Sequence, residues 1–140
     1  MEKVINILLV EDDQLDVINI TRTLDKMNLL YQLHVAKNGE EAVELLENLE
    51  KEGQDRMPDY VLIDINMPRM NGLELLSVIR QKDNWKHLKC FIITTSEEKV
   101  DREKAKSLGV SGYIVKPLKL TNPSSMDAFN LMIDLLNEKK

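Results

Sequence analysis

Residues 59–72 read DYVLIDINMPRMNG and give the strongest structural signal in the chain. The run Tyr60–Ile63 is short, apolar and rich in β-branched and aliphatic residues, which is typical of a buried strand. A carboxylate, Asp64, follows the run directly, and Pro68 and Gly72 favour a loop before the next element. This stretch therefore predicts a strand with an acidic side chain at its carboxyl end.

Strand-like runs of the same kind recur along the chain, at Val4–Val10, Tyr31–Val35, Cys90–Ile93 and Gly112–Val115. Between them, apolar residues recur at helical spacing. Strict alternation of strand and helix implies parallel strands joined by right-handed crossovers, and explains strands that are apolar on both faces. We predict an α/β fold, a doubly wound (βα)5 parallel sheet of five strands with helices on both faces.

Polar residues and glycines mark the predicted helix boundaries. They are Asp12 or Asp13 at the start of the first helix, Asn38-Gly39 and Asn71-Gly72 at the starts of the second and third, and Leu108-Gly109 at the end of the fourth. The polar segment 47–58 predicts that the second helix frays into a long surface loop. Pro123 places the last helix at about residues 125–137.

Length and composition indicate a single domain spanning residues 1–140, with mass for one sizeable core. The net charge of −5 argues against direct binding to nucleic acid or to an anionic membrane. The single cysteine, Cys90, excludes an internal disulfide and suggests a reducing compartment. No signal peptide or membrane-spanning stretch is recognisable, so we expect a cytoplasmic protein.

Polar clusters follow four of the predicted strands: Glu11-Asp12-Asp13, Asp64-Ile65-Asn66, Thr94-Thr95-Ser96 and Lys116-Pro117. The carboxyl ends of parallel strands share one edge of a sheet, where ligands of such folds bind. Neighbouring carboxylates repel each other, and a hard divalent cation relieves that repulsion. The pattern favours a magnesium site, with Lys116 as a partner for an anionic oxygen.

Each of these residues also has a plainer interpretation. Asp13 suits a helix N-cap, Lys116 a surface charge, and Thr94 a β-branched strand residue. Taken singly, the plainer interpretations are the commoner ones. They do not predict that acids, a hydroxyl and a lysine should fall on the same edge, and this coincidence favours the functional interpretation.

With these clusters in place, the chain resembles the receiver domain of two-component response regulators, the CheY-like family. The resemblance rests on four motifs: ILLVEDD at residues 7–13, DYVLIDINMPRMNG at 59–72, IITTS at 92–96 and GYIVKP at 112–117. It covers nearly the whole chain. It implies a flavodoxin-like sheet with the strand order 2-1-3-4-5.

The resemblance also implies a magnesium cofactor. Asp12 and the phosphoacceptor Asp64 would bind the ion directly, Glu11 would hold it through water, and Asn66 would offer its backbone carbonyl. These four residues are the metal site that we expect.

Asp64, Thr94 and Lys116 form the phosphoryl-accepting site that the resemblance implies. Lys116 would pair with the acceptor carboxylate and then with the phosphoryl oxygens, while Thr94 would be the switch hydroxyl. Tyr113 would be the switch aromatic, whose ring rotates inward when Thr94 moves toward the phosphoryl group. Thr95 is bulkier than the Ala, Gly or Ser usual in the family at that position, and it would crowd the space into which Thr94 should move.

The partners implied are a sensor histidine kinase or a histidine phosphotransfer protein, which donates the phosphoryl group, and a downstream protein target. The resemblance predicts a signalling switch and not an enzyme, without direct contact to nucleic acid or membrane. It leaves open whether the domain forms a homodimer through its fourth helix, fifth strand and fifth helix.

Three alternatives share parts of this pattern. A phosphatase of the haloacid-dehalogenase type needs an acid two residues after its nucleophile, where this chain has Asn66. A flavodoxin-like flavin carrier needs a phosphate loop after its first strand, where Glu11, Asp12 and Asp13 would repel the phosphate. A receiver-like interaction module without phosphorylation would have lost an acid, the acceptor or the lysine, and all of them are present.

Overall fold

The computed structural model describes residues 4–26, 30–95 and 98–116. In chain order its elements are β1 (Ile5–Val10), α1 (Gln14–Lys26), β2 (Tyr31–Ala36), α2 (Gly39–Glu52), a short 3-10 helix (Gln54–Arg56), β3 (Tyr60–Ile63), α3 (Gly72–Gln81), β4 (Lys89–Thr94), α4 (Lys99–Ser107) and β5 (Gly112–Val115). The helix predicted at 125–137, together with Ser96 and Pro117, lies outside the described residues.

The five strands form one parallel sheet in the order β2-β1-β3-β4-β5, which confirms the predicted fold class and strand order. Neighbouring strands end close to one another, although Ile63 of β3 lies opposite Ile92 and β4 continues two residues further. Val10 of β1 lies opposite Ala36 of β2 and Ile63 of β3, and Thr94 of β4 lies opposite Val115 of β5. The residues that follow the strands therefore emerge at one common edge.

Apolar side chains bury both faces of the sheet. In β1, Leu8 and Val10 belong to the cluster that packs under α2 and α3, whereas Ile7 and Leu9 belong to the cluster under α1. Successive strand residues point to opposite faces, so a strand covered on both sides is apolar at nearly every position, and in β1 only Asn6 is polar. Each fully buried side chain of this kind contributes about 1.5–3 kcal/mol, which makes the sheet a firm support for the loops at its edge.

The first three helices start at the predicted positions, and each start has a side-chain cap. Asp13 Oδ1 accepts hydrogen bonds from the backbone N–H of Leu15 at 2.8 Å and of Asp16 at 3.4 Å. Asn38 caps α2, and Asn71 forms a capping box with α3. These bonds satisfy N–H groups that the first turn of a helix leaves without a partner.

The prediction that the second helix frays after residue 47 is wrong. α2 continues to Glu52, and the 3-10 helix follows after Gly53. Leu49 lies in the core, and Glu50 accepts a 2.9 Å hydrogen bond from the indole Nε1 of Trp85. The segment looks polar because its outward residues are charged, while its inward residues make tertiary contacts that hold the helix together.

Arg80, the penultimate residue of α3, connects three segments at the opposite end of the sheet from the strand-end acids. Its guanidinium donates to the backbone carbonyls of Leu108 at 2.7 Å, Lys86 at 3.0 Å, Leu88 at 2.8 Å and Gly109 at 3.0 Å. One side chain thus fixes the loop before β4 and the end of α4.

Within the described ranges, no helix has the length and apolar character needed to cross a membrane.

Candidate functional site

Three carboxylates meet at the carboxyl edge of the sheet. Each of Glu11, Asp12 and Asp64 offers an oxygen, and these oxygens all lie within 4.8 Å of one another. Pairing of β1 with β3 brings them together, since the backbone N–H of Asp64 donates to the carbonyl of Val10 at 3.0 Å. Glu11 and Asp64 are buried, and Asp12 is exposed. The cluster therefore has one side open to solvent.

Lys116 brings a positive charge to this cluster from the end of β5. Its backbone N–H donates to the carbonyl of Thr94 at 2.8 Å, which directs the side chain across the sheet edge. Its Nζ lies 2.5 Å from Glu11 Oε1, 2.7 Å from Asp16 Oδ2 and 3.3 Å from Asp64 Oδ2. The ammonium has three donor protons, and each has a carboxylate within reach.

The electrostatics of the site reflect crowded negative charge. Burial and the nearby charge of Asp64 raise the pKa of Glu11 to about 7, although the hydrogen bond from Lys116 acts in the opposite direction. Burial alone would lower the pKa of Lys116, but its bonds to Asp16 and Glu11 outweigh that effect and raise it. The lysine is thus held as a cation among several acids, which leaves an excess of negative charge.

The residues present fit a magnesium ion. In the part of the chain that the structure describes, the cluster consists of carboxylates, and hard oxygen donors are the ligands that Mg²⁺ prefers. The exposed side of the cluster leaves space for the water ligands that Mg²⁺ retains. Asn66, the fourth predicted ligand, follows in the next loop, where its backbone N–H donates to Asp64 Oδ1 at 3.4 Å.

The loop that carries Asp64 is packed too closely to accept larger side chains at two glycines. A Cβ atom at Gly72 would lie 2.2 Å from the carbonyl oxygen of Asp64, and one at Gly39 would lie 2.6 Å from Cγ of Met70. Gly72 also donates to the carbonyl of Ile65 at 3.0 Å. These contacts hold the backbone of the predicted acceptor against the starts of α2 and α3.

The predicted switch residues lie on β4 and β5. Thr94 is fully buried at the end of β4, beside the backbone of Lys116, and Thr95 is exposed. Tyr113 is half-buried on β5, and the guanidinium carbon of Arg102 lies 4.8 Å from the centre of its ring. The structure thus places Thr94 at the site and Tyr113 under α4, while their roles in switching stay predictions.

Asp16 is the site residue that the sequence reasoning missed. It lies in the first turn of α1, and its carboxylate reaches Lys116 as closely as the acids of the strand ends do. Helical spacing is the sequence signal that could have identified Asp16. Once Asp13 is taken as the N-cap, the residue three positions later lies on the same side of the first turn, above the sheet edge.

These features define a class of protein. It is a flavodoxin-like α/β protein with an acidic, lysine-containing site at the carboxyl edge of its sheet. The profile of the response regulator receiver domain matches residues 7–124. The chain belongs to the response regulator receiver domain family. The family is a signalling module of two-component systems, and receiver domains interact with histidine kinases and phosphotransfer proteins.

Relatives of known sequence or structure agree with this assignment. The chain is 30% identical to the probable methanogenesis regulatory protein FilR2 of Methanothrix harundinacea, over 80% of this chain and 72% of that protein. It is also 30% identical to a two-component response regulator from Legionella pneumophila, with a TM-score of 0.77 over 95% of this chain and 98% of that one.

A third similar structure is described as the Mn(2+)-bound form of response regulator Rcp1; it is 25% identical, with a TM-score of 0.69, covering 93% of this chain and 90% of that one. Other relatives are much longer. The chain spans 13% of the sensor histidine kinase CheAY of Helicobacter pylori and 35% of the nitrate/nitrite response regulator NarL of Escherichia coli.

Proposed function

We propose that this protein is a phosphorylation switch that accepts a phosphoryl group on Asp64 in a magnesium-dependent reaction. The donor is the phosphohistidine of a sensor histidine kinase or of a histidine phosphotransfer protein. The observation that carries the proposal is the position of Asp64. Its carboxylate is buried at the sheet edge, beside the ammonium of Lys116 and near the acids Glu11 and Asp12.

The transfer requires a carboxylate nucleophile and neutralisation of charge. An oxygen of Asp64 forms a bond to phosphorus while the phosphorus–nitrogen bond of the donor breaks, and the imidazole nitrogen keeps that electron pair. Lys116, 3.3 Å from Asp64 Oδ2, is close enough to donate to the oxygens of the incoming group. A fixed cation of this kind stabilises the charge that spreads over the phosphoryl oxygens.

The metal site is part of the proposal. Asp12, Asp64 and the backbone carbonyl of Asn66 would bind Mg²⁺, and Glu11 would help to hold it through water. When bound, the ion supplies positive charge beside the phosphoryl oxygens. The acidic cluster supports this assignment, and the Mn²⁺ in the related Rcp1 structure is consistent with it.

We assign the output to a change of surface. Thr94 moves toward the phosphoryl oxygens, and Tyr113 turns inward from beneath Arg102 into the space that Thr94 leaves. Such a modification needs to favour one of the two arrangements by only about 2–3 kcal/mol to shift their populations enough for signalling. A downstream protein, or a second copy of the chain, then recognises the altered face of α4 and β5. The proposal places these events in the cytoplasm.

Acetyl phosphate and Mg²⁺ test the proposal, with intact mass as the readout. We expect one phosphoryl adduct in the wild type, none in Asp64→Asn, and none when the metal is removed by a chelator. Asp13→Asn is the matched control, because it neutralises a neighbouring acid while asparagine still caps α1. This control should form the adduct. Absence of an adduct in folded wild type would instead favour an interaction module that is not phosphorylated.

A further inference from the structure

The ammonium of Lys116 has one carboxylate partner more than phosphoryl acceptance requires. Glu11 and Asp64 belong to the proposed site, but Asp16 comes from α1 and is not among the residues expected to hold the metal. Its Oδ2 is 2.7 Å from Nζ, whereas Asp64 Oδ2 is 3.3 Å away. In this state the lysine is therefore bound more closely by Asp16 than by the proposed acceptor.

The position of Asp16 is set by the start of α1. Its backbone N–H donates to Oδ1 of Asp13, the cap of the helix. Its side chain is 30% exposed, compared with 1% for Glu11 and 8% for Asp64. Asp16 is thus the member of the lysine's shell that water reaches most easily.

We infer that Asp16 is a positioning residue that competes with Asp64 for Lys116, holding the lysine in the unmodified state and releasing it when Asp64 carries a phosphoryl group. This inference rests on the proposed function and adds a regulatory part to it. Asp16 acts through the lysine and makes no contact with the phosphoryl group.

The difference in exposure explains why Asp16, and not Glu11, gives up the lysine. An acid left without a partner in the interior pays a large desolvation cost, whereas a partly exposed acid regains water. A phosphoryl group brings nearly two negative charges and three acceptor oxygens, so it competes strongly for the ammonium. Moving Lys116 from Asp16 toward Asp64 therefore costs less than moving it away from Glu11.

Beryllofluoride, which imitates a phosphoryl group on a carboxylate, tests the competition without a covalent step. Its affinity for the protein in the presence of Mg²⁺ is measured by calorimetry. We expect Asp16→Asn to bind it about two- to fivefold more tightly, the upper part of the range of a partly exposed ion pair. Asp16→Glu keeps the carboxylate and should return the affinity toward that of the wild type.

A double-mutant cycle distinguishes action through the lysine from a general effect of charge or of helix stability. In a Lys116→Gln background, Asp16→Asn should leave the affinity unchanged, since its partner is gone. Glu47→Gln removes an equal charge from the exposed side of α2 and serves as the matched control. It should change the affinity by less than about twofold, because Glu47 is exposed to solvent and lies on another helix, where its charge is screened.

The results separate this inference from the proposed function. If folded wild type binds no beryllofluoride, the proposed function fails and the inference fails with it. If wild type binds but Asp16→Asn binds equally well, or gains the same factor in both backgrounds, only the role of Asp16 is overturned. Should Lys116→Gln not fold, the Asp16→Asn gain and its reversal by Asp16→Glu still decide the matter.

Discussion

Two cations anchor opposite ends of the same sheet, and their partners differ in kind. At one end Arg80 donates to backbone carbonyls of two loops. At the other end Lys116 lies among the side-chain carboxylates of Glu11, Asp16 and Asp64. Both cations join segments that are distant in sequence. Of these two cations, the lysine is the one whose partners are negatively charged carboxylates, which can take a phosphoryl group.

The partners of Arg80 suit a role in stability, whereas those of Lys116 suit a role in chemistry. Backbone carbonyls are held by the fold, so the shell of Arg80 has a single arrangement. Carboxylates crowded around one ammonium repel each other, and adding a cation or modifying one of them changes which arrangement is favoured.

The largest effect is expected from Lys116→Gln at the carboxyl edge. Glutamine can still donate a hydrogen bond, but the positive charge beside the phosphoryl oxygens is lost, so adduct formation should slow by about a hundredfold. The rate is followed by intact mass with acetyl phosphate and Mg²⁺. A variant as fast as the wild type would contradict the role given to the lysine.

Arg80→Lys should have the opposite profile. A lysine keeps the charge but cannot reproduce a fork that donates to several carbonyls, so the free energy of unfolding should fall by about 2–3 kcal/mol. Urea denaturation measures this loss. The folded variant should form the adduct at the wild-type rate, and a large loss of rate would remove the distinction between the two ends.

Magnesium should stabilise the carboxyl end by relieving the repulsion of its acids. At a concentration ten times its dissociation constant, the ion should raise the free energy of unfolding by about 1.4 kcal/mol, since it binds the folded state alone. Urea denaturation with Mg²⁺ and with a chelator measures the difference. Asp12→Asn should abolish most of it, and equal stabilisation in that variant would place the ion elsewhere.

The smallest effect concerns Cys90, which lies near Arg80 in the core. Burial raises the pKa of its thiol to about 11, although the charge of Arg80 acts against this. The unfolded thiol loses its proton near pH 9 and the folded one near 11, so in this window rising pH favours unfolding through this group. At pH 8 a thiol reagent should react slowly with the native protein and faster with Arg80→Lys, in proportion to the larger unfolded population of that variant.

The fold could be predicted because the central strands β1, β3 and β4 are buried on both faces and therefore form almost uninterrupted apolar runs. The meeting of Asp64 with Glu11 and Asp12 followed from the geometry of parallel strands, since their carboxyl ends share an edge. The starts of α2 and α3 followed from local chemistry, in which Asn38 and Asn71 cap the first turn.

Features that depend on tertiary partners could not be predicted. The prediction for the end of α2 was wrong because Glu50 accepts a hydrogen bond from Trp85, which is distant in sequence. The carbonyls that Arg80 binds belong to loops whose positions only the folded chain defines. Helical spacing could have placed Asp16 above the sheet edge, but its distance from Lys116 could not be predicted, because it depends on how α1 lies against the sheet.

The central claim is that Asp64 becomes the acyl phosphate, and reduction of the modified protein with borohydride tests it most directly. Hydride cleaves the acyl phosphate and converts the aspartate to homoserine, which peptide sequencing by mass spectrometry locates. We predict homoserine at position 64 in samples treated with phosphodonor and Mg²⁺, and aspartate there in samples without magnesium. Homoserine at Asp12 or Asp16 instead, or unmodified aspartate at position 64 in protein that carries the adduct, would contradict the account.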